Sequence, residues 1–128
     1  MDDANVPSLL SMPYLGYCKK EDTLYQHTQS FILSHHNPYY YQGTCASGIG
    51  SPHTSKNYIW HIALSMQGLT GTKEEAKKMI NLILETSNNE GLCHEGFNKD
   101  EPSEYTRFWF AWANSLFAEL VYQTYFVK

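Results

Sequence analysis

The residues best equipped for chemistry lie between Gly91 and Leu116. Gly-Leu-Cys-His-Glu-Gly-Phe fills 91–97, and an acidic turn passes through Asp100, Glu101 and Pro102. Thr106-Arg107-Phe-Trp-Phe-Ala-Trp-Ala-Asn114-Ser-Leu116 follows. At the centre is Glu95, a carboxylate between His94 and Gly96 with Phe97 beside it. An acid on a short loop in front of an aromatic-rich helix suits the handling of a sugar. Aromatic rings stack on the apolar faces of a pyranose, while the acid works on a hydroxyl or a water. The same segment also fits an ordinary capping loop ahead of a buried helix.

Three further places carry polar or reactive side chains. Ala46-Ser-Gly48-Ile-Gly50-Ser51-Pro52-His53-Thr54 reads as a tight loop whose backbone can approach a ligand closely, with His53 either touching that ligand or bonding its own loop. It lacks the Gly-Lys-Ser/Thr ending of a phosphate loop. Asp2, Asp3 and Asn5 place polar groups at the mouth of a helix, a position that also suits capping and solvation. His35 and His36 end another helix, where as neighbours they are expected to point apart and share no metal. The cysteines, Cys18, Cys45 and Cys93, are odd in number and have no CxxC spacing, so reduced thiols are expected rather than a disulfide framework or a zinc site.

Five helices are expected to position these groups. The first is capped by Asn5, takes Pro7 in its first turn and ends at Pro13 and Gly16. The second covers about 21–34, with Leu24, Tyr25, Thr28, Phe31 and Ile32 on one core face. After an extended Tyr39-Tyr40-Tyr41 segment, the third covers about 56–69 and is apolar on most sides, as in a helix buried in a larger assembly. The fourth begins with a capping box, Thr72 and Glu75, and turns Ala76, Met79, Ile80, Ile83 and Leu84 inward. Its stop is Asn88-Asn89-Glu90-Gly91. The fifth covers about 108–126 and is too apolar to lie on a surface. Buried and amphipathic helices thus alternate, the pattern of an α/α toroid, and the predicted fold class is all-α.

The composition narrows the function. With 128 residues the chain makes one domain at most. Aromatic residues are 15% of it, including 10 Tyr, against 17% charged, so either a cleft is lined with rings or part of the surface is covered by more protein. A net charge of −4 without a basic run argues against nucleic acid and anionic membrane as partners. The sequence shows no signal peptide, no spanning apolar run and no Asn-x-Ser/Thr sequon, which points toward the cytosol.

Four blocks together resemble a known family. They are Asp2-Asp3-Ala-Asn5-Val-Pro7-Ser8-Leu9-Leu10; Gly48-Ile-Gly50-Ser51-Pro52-His53-Thr54 with Tyr58-Ile-Trp60; His94-Glu95-x-Phe97; and Thr106-Arg107-x-Trp109-Phe110-Ala-Trp112-Ala-Asn114-Ser115-Leu116. In this order, over nearly the whole chain, they resemble the C-terminal part of glycoside hydrolase family 125, exo-acting, metal-independent α-mannosidases that prefer α-1,6-linked mannose. The resemblance implies the C-terminal part of an (α/α)6 barrel, inversion at the anomeric carbon, and no cofactor or metal. Inversion uses two carboxyl groups, one protonating the leaving oxygen and one deprotonating a water. Glu95 falls at the position of the general base. The general acid lies upstream of the Asp2-Asp3 block, so Met1 resembles a residue inside the family pattern. Asp3, Asn5, His53, His94 and Arg107 resemble polar groups around the terminal mannose, and Trp60, Trp109 and Trp112 resemble pocket walls. The chain departs from the family at Cys93 (usually methionine), Gly96 (usually serine) and His61 (usually proline).

The expectation is therefore one segment, 1–128, supplying the C-terminal part of an inverting exo-α-1,6-mannosidase. Its partners would be a mannose-containing oligosaccharide or N-glycan and the missing upstream part of the same domain, and it would be inactive and poorly stable alone. A non-catalytic carbohydrate-binding domain and a helical scaffold are the rival readings.

Overall fold

A computed structural model describes residues 1–88 and 91–127. Among them are four helices and five short strands: α1 (Thr23–Ile32), β1 (Tyr40–Gln42), β2 (Ser47–Ile49), β3 (Tyr58–Trp60), α2 (His61–Leu69), α3 (Lys73–Thr86), β4 (Gly96–Asn98), β5 (Tyr105–Thr106) and α4 (Ala111–Tyr125). The expected all-α class, and with it the partial toroid, is overturned. β1 and β2 form an antiparallel hairpin, and β3, β4 and β5 form a three-stranded antiparallel sheet in that order. A bridge between Gly50 and Ile59 joins the two. The strands are two or three residues long, too short for period-2 alternation to show in the sequence.

The boundaries moved for related reasons. Tyr58–Trp60, expected as the first turn of the third helix, pairs instead with Asn98–Gly96, and α2 starts at the next residue. Ser47–Ile49, expected in a loop, is β2. The helix expected from 108 starts at Ala111: ahead of it the Phe110 N–H donates to the Cys93 carbonyl, and the Phe108 carbonyl, which a helix from 108 would turn to the Trp112 N–H, faces the His94 ring instead. The helix expected after Asn5 does not form. Asp3 takes the Asn5 N–H, and Asp2 takes the N–H groups of Leu9 and Leu10. The segment from Leu9 to Tyr17 then coils through turns.

The core is built around α2. His61 through Met66, and Gly68, are all buried, so the helix is enclosed as its apolar pattern implied, but by this chain's own α3 and α4 on one side and by strands on the other. A Cβ at Gly68 would come 2.8 Å from Leu120 Cδ1, which is why α4 can approach so closely there. In α3, Thr72 Oγ1 accepts the Glu75 N–H at 3.1 Å. The Glu75 carboxylate does not complete the box; it accepts from Gln67 Nε2 at 2.8 Å. Ala76, Met79, Ile80 and Ile83 are buried as expected, while Leu84 is exposed. Asn89 and Glu90 of the predicted stop lie outside the described residues.

Two expected core faces are largely open. In α1, Tyr25 and Ile32 are buried, but Leu24 and Phe31 are exposed. Tyr25 nonetheless pins the N-terminal segment, donating its hydroxyl to the Leu10 carbonyl at 2.7 Å. Asn37, fully enclosed, donates Nδ2 to the carbonyls of Asp2 and Ile32. In α4, Ala113, Leu116, Leu120 and Thr124 are buried, whereas Trp112, Tyr122 and Tyr125 are exposed. That helix therefore lies half on the surface, against expectation. His35 and His36 do not point apart; α1 ends at Ile32, and beyond it their rings sit 4.1 Å apart, with Phe31 stacked on His36. No helix among the described residues is long and apolar enough to cross a membrane.

Candidate active site

Glu95 precedes β4 and is held through its backbone: its N–H donates to the Thr106 carbonyl at 3.1 Å, and the next N–H, of Gly96, donates to Thr106 Oγ1 at 3.0 Å. Its side chain keeps 17% of its surface exposed, and one carboxylate oxygen lies 3.4 Å from Arg107 Nε. Arg107 is largely exposed and also lies over the Phe110 ring, 5.4 Å from the centroid. Its φ of 52° is in the left-handed region, a strained choice for a side chain with a Cβ and one that concentrates at functional sites. The sharp turn this makes after β5 brings the guanidinium back to the carboxylate.

The aromatic groups follow from the sheet register. Trp60 ends β3 opposite Gly96, and Gly96 faces Thr106. The indole edge lies across Gly96, where a Cβ would come 3.2 Å from Trp60 Cδ1 and Nε1. Trp60 Nε1 donates to Thr54 Oγ1 at 2.9 Å, and Phe110 meets the indole edge-on, with centroids 6.3 Å apart. Only 3% of Trp60 is exposed, so it supports the loop from beneath. Trp112 packs against Phe110 at 6.2 Å and remains exposed, and Trp109 is more exposed still.

The N-terminal polar groups reach the same sheet. The Ala4 N–H donates to the Gly50 carbonyl at 2.9 Å. Asp3 Oδ1 accepts from the Asn5 backbone and from Asn5 Nδ2, at 2.8 and 3.0 Å. Asn5 Nδ2 also reaches Ser51 Oγ at 3.4 Å, which accepts the His53 N–H at 3.2 Å. The exposed His53 ring lies 6.4 Å from Trp60. Contacts thus run from Asp3 through Asn5, Ser51, His53 and Trp60 to Gly96, the residue beside Glu95. Asp2 and Asp3 both spend carboxylate oxygens on N–H groups of their own segment. Burial pushes the Asp2 carboxyl above its usual range, against the pull of the Leu9 and Leu10 N–H groups.

His94 behaves differently from its predicted neighbours. It is completely buried, stacked 4.0 Å from Tyr105 with nearly parallel rings. Nδ1 faces the carbonyls of Phe108 and Arg107 at 3.0 and 3.3 Å, so it must carry the proton. Burial lowers the pKa of the ring, opposed by those two carbonyls. In this chain it lies beneath the loop, not on its surface. The sequence reading gave no site role to Ser51, Thr54, Thr106 or Phe110, which connect the predicted groups; the first three are short polar side chains inside the motif blocks, and only the pairing of strands shows what they bond. Cys93, buried with its thiol pushed up to about 12, is an inert packing group.

This arrangement can hold a carboxylate at the edge of an aromatic surface, beside a cation that fixes its orientation. A family model described as metal-independent alpha-mannosidase (GH125) matches residues 1–122. The chain is 45% identical over 123 residues to a Schizosaccharomyces pombe protein named "Meiotically up-regulated gene 157 protein", a match spanning 94% of this chain and 24% of that one. A solved Streptococcus pneumoniae structure, described as a metal-independent alpha mannosidase in a non-productive substrate complex with alpha-1,6-mannobiose, is similar with a TM-score of 0.94 and 53% identity. That match covers 97% of this chain and 29% of the other. The chain thus spans less than a third of the length of either relative. On the match over residues 1–122, it belongs to the GH125 family of metal-independent alpha-mannosidases.

Proposed function

We propose that residues 1–128 form one segment, the C-terminal part of the catalytic domain of an inverting exo-α-1,6-mannosidase acting on mannose-containing oligosaccharides or N-glycans. Glu95 is the general base, drawing a proton from the water that attacks the anomeric carbon. The general acid is supplied by chain upstream of Asp2, because the carboxylates of Asp2 and Asp3 are engaged with their own backbone. Asp3, Asn5 and His53 line one side of the sugar site, Arg107 holds Glu95, and Trp109 and Trp112 offer exposed ring faces. His94 and Trp60 act from behind. Alone, the 128-residue chain has half of the acid/base pair and is inactive.

The observation that carries this reading is the Glu95 carboxylate, partly exposed and fixed by Arg107 at 3.4 Å on a loop tied twice to Thr106. The complex of the streptococcal relative with α-1,6-mannobiose supports the choice of substrate. The test is release of free mannose from α-1,6-mannobiose by this chain and by its version extended upstream. Activity confined to the extended protein is the expected result. Activity in the 128-residue chain would mean that Asp2 or Asp3 donates the proton. Silence from both would leave a carbohydrate-binding domain without chemistry.

A further inference from the structure

His61, the first residue of α2, is completely buried, and both of its ring nitrogens are engaged. Nδ1 lies 2.9 Å from the backbone nitrogen of His94, and Nε2 lies 2.9 Å from Thr86 Oγ1. An amide nitrogen only donates, so Nδ1 must present its lone pair to the His94 N–H. Thr86 Oγ1 lies 2.8 Å from the Leu82 carbonyl, to which only the threonine hydroxyl can donate. The threonine proton is therefore used, its oxygen accepts, and the His61 proton sits on Nε2. Every direction is fixed: Thr86 to Leu82, His61 to Thr86, His94 to His61.

These bonds connect the last turn of α3, through the start of α2, to the residue before Glu95. The neighbouring N–H groups have other anchors: Cys93 donates to Asn114 Oδ1 at 2.8 Å, and Glu95 and Gly96 donate to Thr106. The loop is thus held from α4, from the helical core and from β5, and His61 supplies the core anchor. Phe97, 4.8 Å from the imidazole between ring centroids, and His94, at 5.4 Å, close the space around it.

We infer that His61 is a positioning residue for Glu95, its Nδ1 lone pair fixing the backbone of the loop that carries the carboxylate. This rests on Glu95 being the base. A carboxylate that must meet a water and an anomeric carbon in line loses rate on small displacements, whereas sugar affinity depends on groups elsewhere in the site. His61 therefore acts on turnover and leaves substrate affinity in place.

Two isosteric substitutions separate this role from simple core filling. In His61→Asn the side-chain oxygen can take the place of Nδ1, keeping the acceptor. In His61→Gln the terminal amide reaches the Nε2 position, keeping the donor to Thr86 but not the acceptor. In the extended protein, with α-1,6-mannobiose as substrate, H61Q is expected to lose kcat by about tenfold or more with KM within about twofold, while H61N stays within about threefold of the parent. Amide hydrogen exchange of the 92–96 stretch should accelerate by about tenfold in H61Q and not in H61N. Equal kinetic losses in the two variants, or exchange at His94 that is the same in both, would overturn the assignment. If the parent protein releases no mannose, the proposed function fails; the exchange comparison still decides whether His61 anchors the loop.

Discussion

Replacing Glu95 by Gln keeps the shape of the side chain and removes the charge that a base needs. In the extended protein kcat should fall by about 10²–10⁴-fold with mannobiose binding retained; turnover within a factor of a few of the parent would remove Glu95 from the mechanism. His61 gives a second prediction, about acid stability. Burial, reinforced by the neighbouring His94, lowers its pKa from 6.5 to about 3 in the folded protein, and the unfolded imidazole titrates near the ordinary value. Between these pH values the unfolded state holds the extra proton. Stability is complete above about 6.5 and is lost as pH falls toward 3, by up to about 1.4 kcal/mol per unit for this one group. His94, also lowered by burial, adds to the loss with the same sign. Urea midpoints at pH 7 and pH 5 should therefore differ by more in the parent than in H61N, and equal differences would refute the assignment. At this scale the sequence was informative where the chemistry is contiguous. Glu95 stands out inside its own motif, and Arg107 belongs to the next block. His94 could not be placed inside or outside the pocket from its neighbours, because a loop residue has no periodicity to give its direction. His61 and Thr86, 25 positions apart, meet only once α2 packs on α3.

Gly50 shows what holds the two sheets in place. Its N–H donates to the Tyr39 carbonyl at 2.7 Å, its carbonyl accepts from Ala4, and it bridges to Ile59. A Cβ there would run into the Tyr58 carbonyl oxygen and the Tyr41 ring. A backbone atom cannot give way as a flexible side chain can, so Gly50→Ala should destabilise the extended protein by about 2–3 kcal/mol, seen as a lower denaturation midpoint. The same substitution should reduce activity, because the junction aligns the Asn5–Ser51 contact with Trp60. A midpoint equal to the parent's would mean that the sheets are not packed this closely. The elements themselves were legible to unequal degrees. α3 is long and amphipathic and keeps its Thr72 cap, so its pattern was readable. α2 was readable as buried because its apolar residues surround it. The strands were not. β3 runs directly into α2, and an apolar Tyr-Ile-Trp triplet continues a helical pattern as well as it makes a strand. Its pairing with β4 is a contact across nearly forty positions that no local signal reports. The expected all-α architecture failed on these short pieces, which are also the pieces that place Glu95.

For the whole molecule the decisive quantity is uncovered apolar surface. Tyr17, Leu24 and Phe126 are 79%, 75% and 72% exposed, and Trp109, Tyr122 and Tyr125 are more than half exposed. Isolated exposed apolar residues are ordinary on a protein surface. Here Leu24 and Phe31 lie on one face of α1, and Trp112, Tyr122 and Tyr125 on the aromatic face of α4, both on elements whose sequence patterns call for burial. Under the proposed function, in which this chain is one segment of a larger catalytic domain, a partner surface within that domain covers both faces. On that proposal, the half-exposed α4 seen in this chain and the buried helix its apolar sequence calls for are the same helix without and with its neighbours. The consequence can be measured on the 128-residue chain alone. It should bind a hydrophobic dye, sediment as a concentration-dependent mixture and unfold over a broad range. The extended protein should bind little dye and unfold in one sharp step. Chain alone that is monomeric, dye-free and cooperative would show that these faces need no cover, and the rings of α4 would then be free for another ligand. The sugar test cannot replace this one, because a fragment can lack activity either from a missing acid or from a fold that never closes. Dye binding and sedimentation separate those causes before any substrate is added.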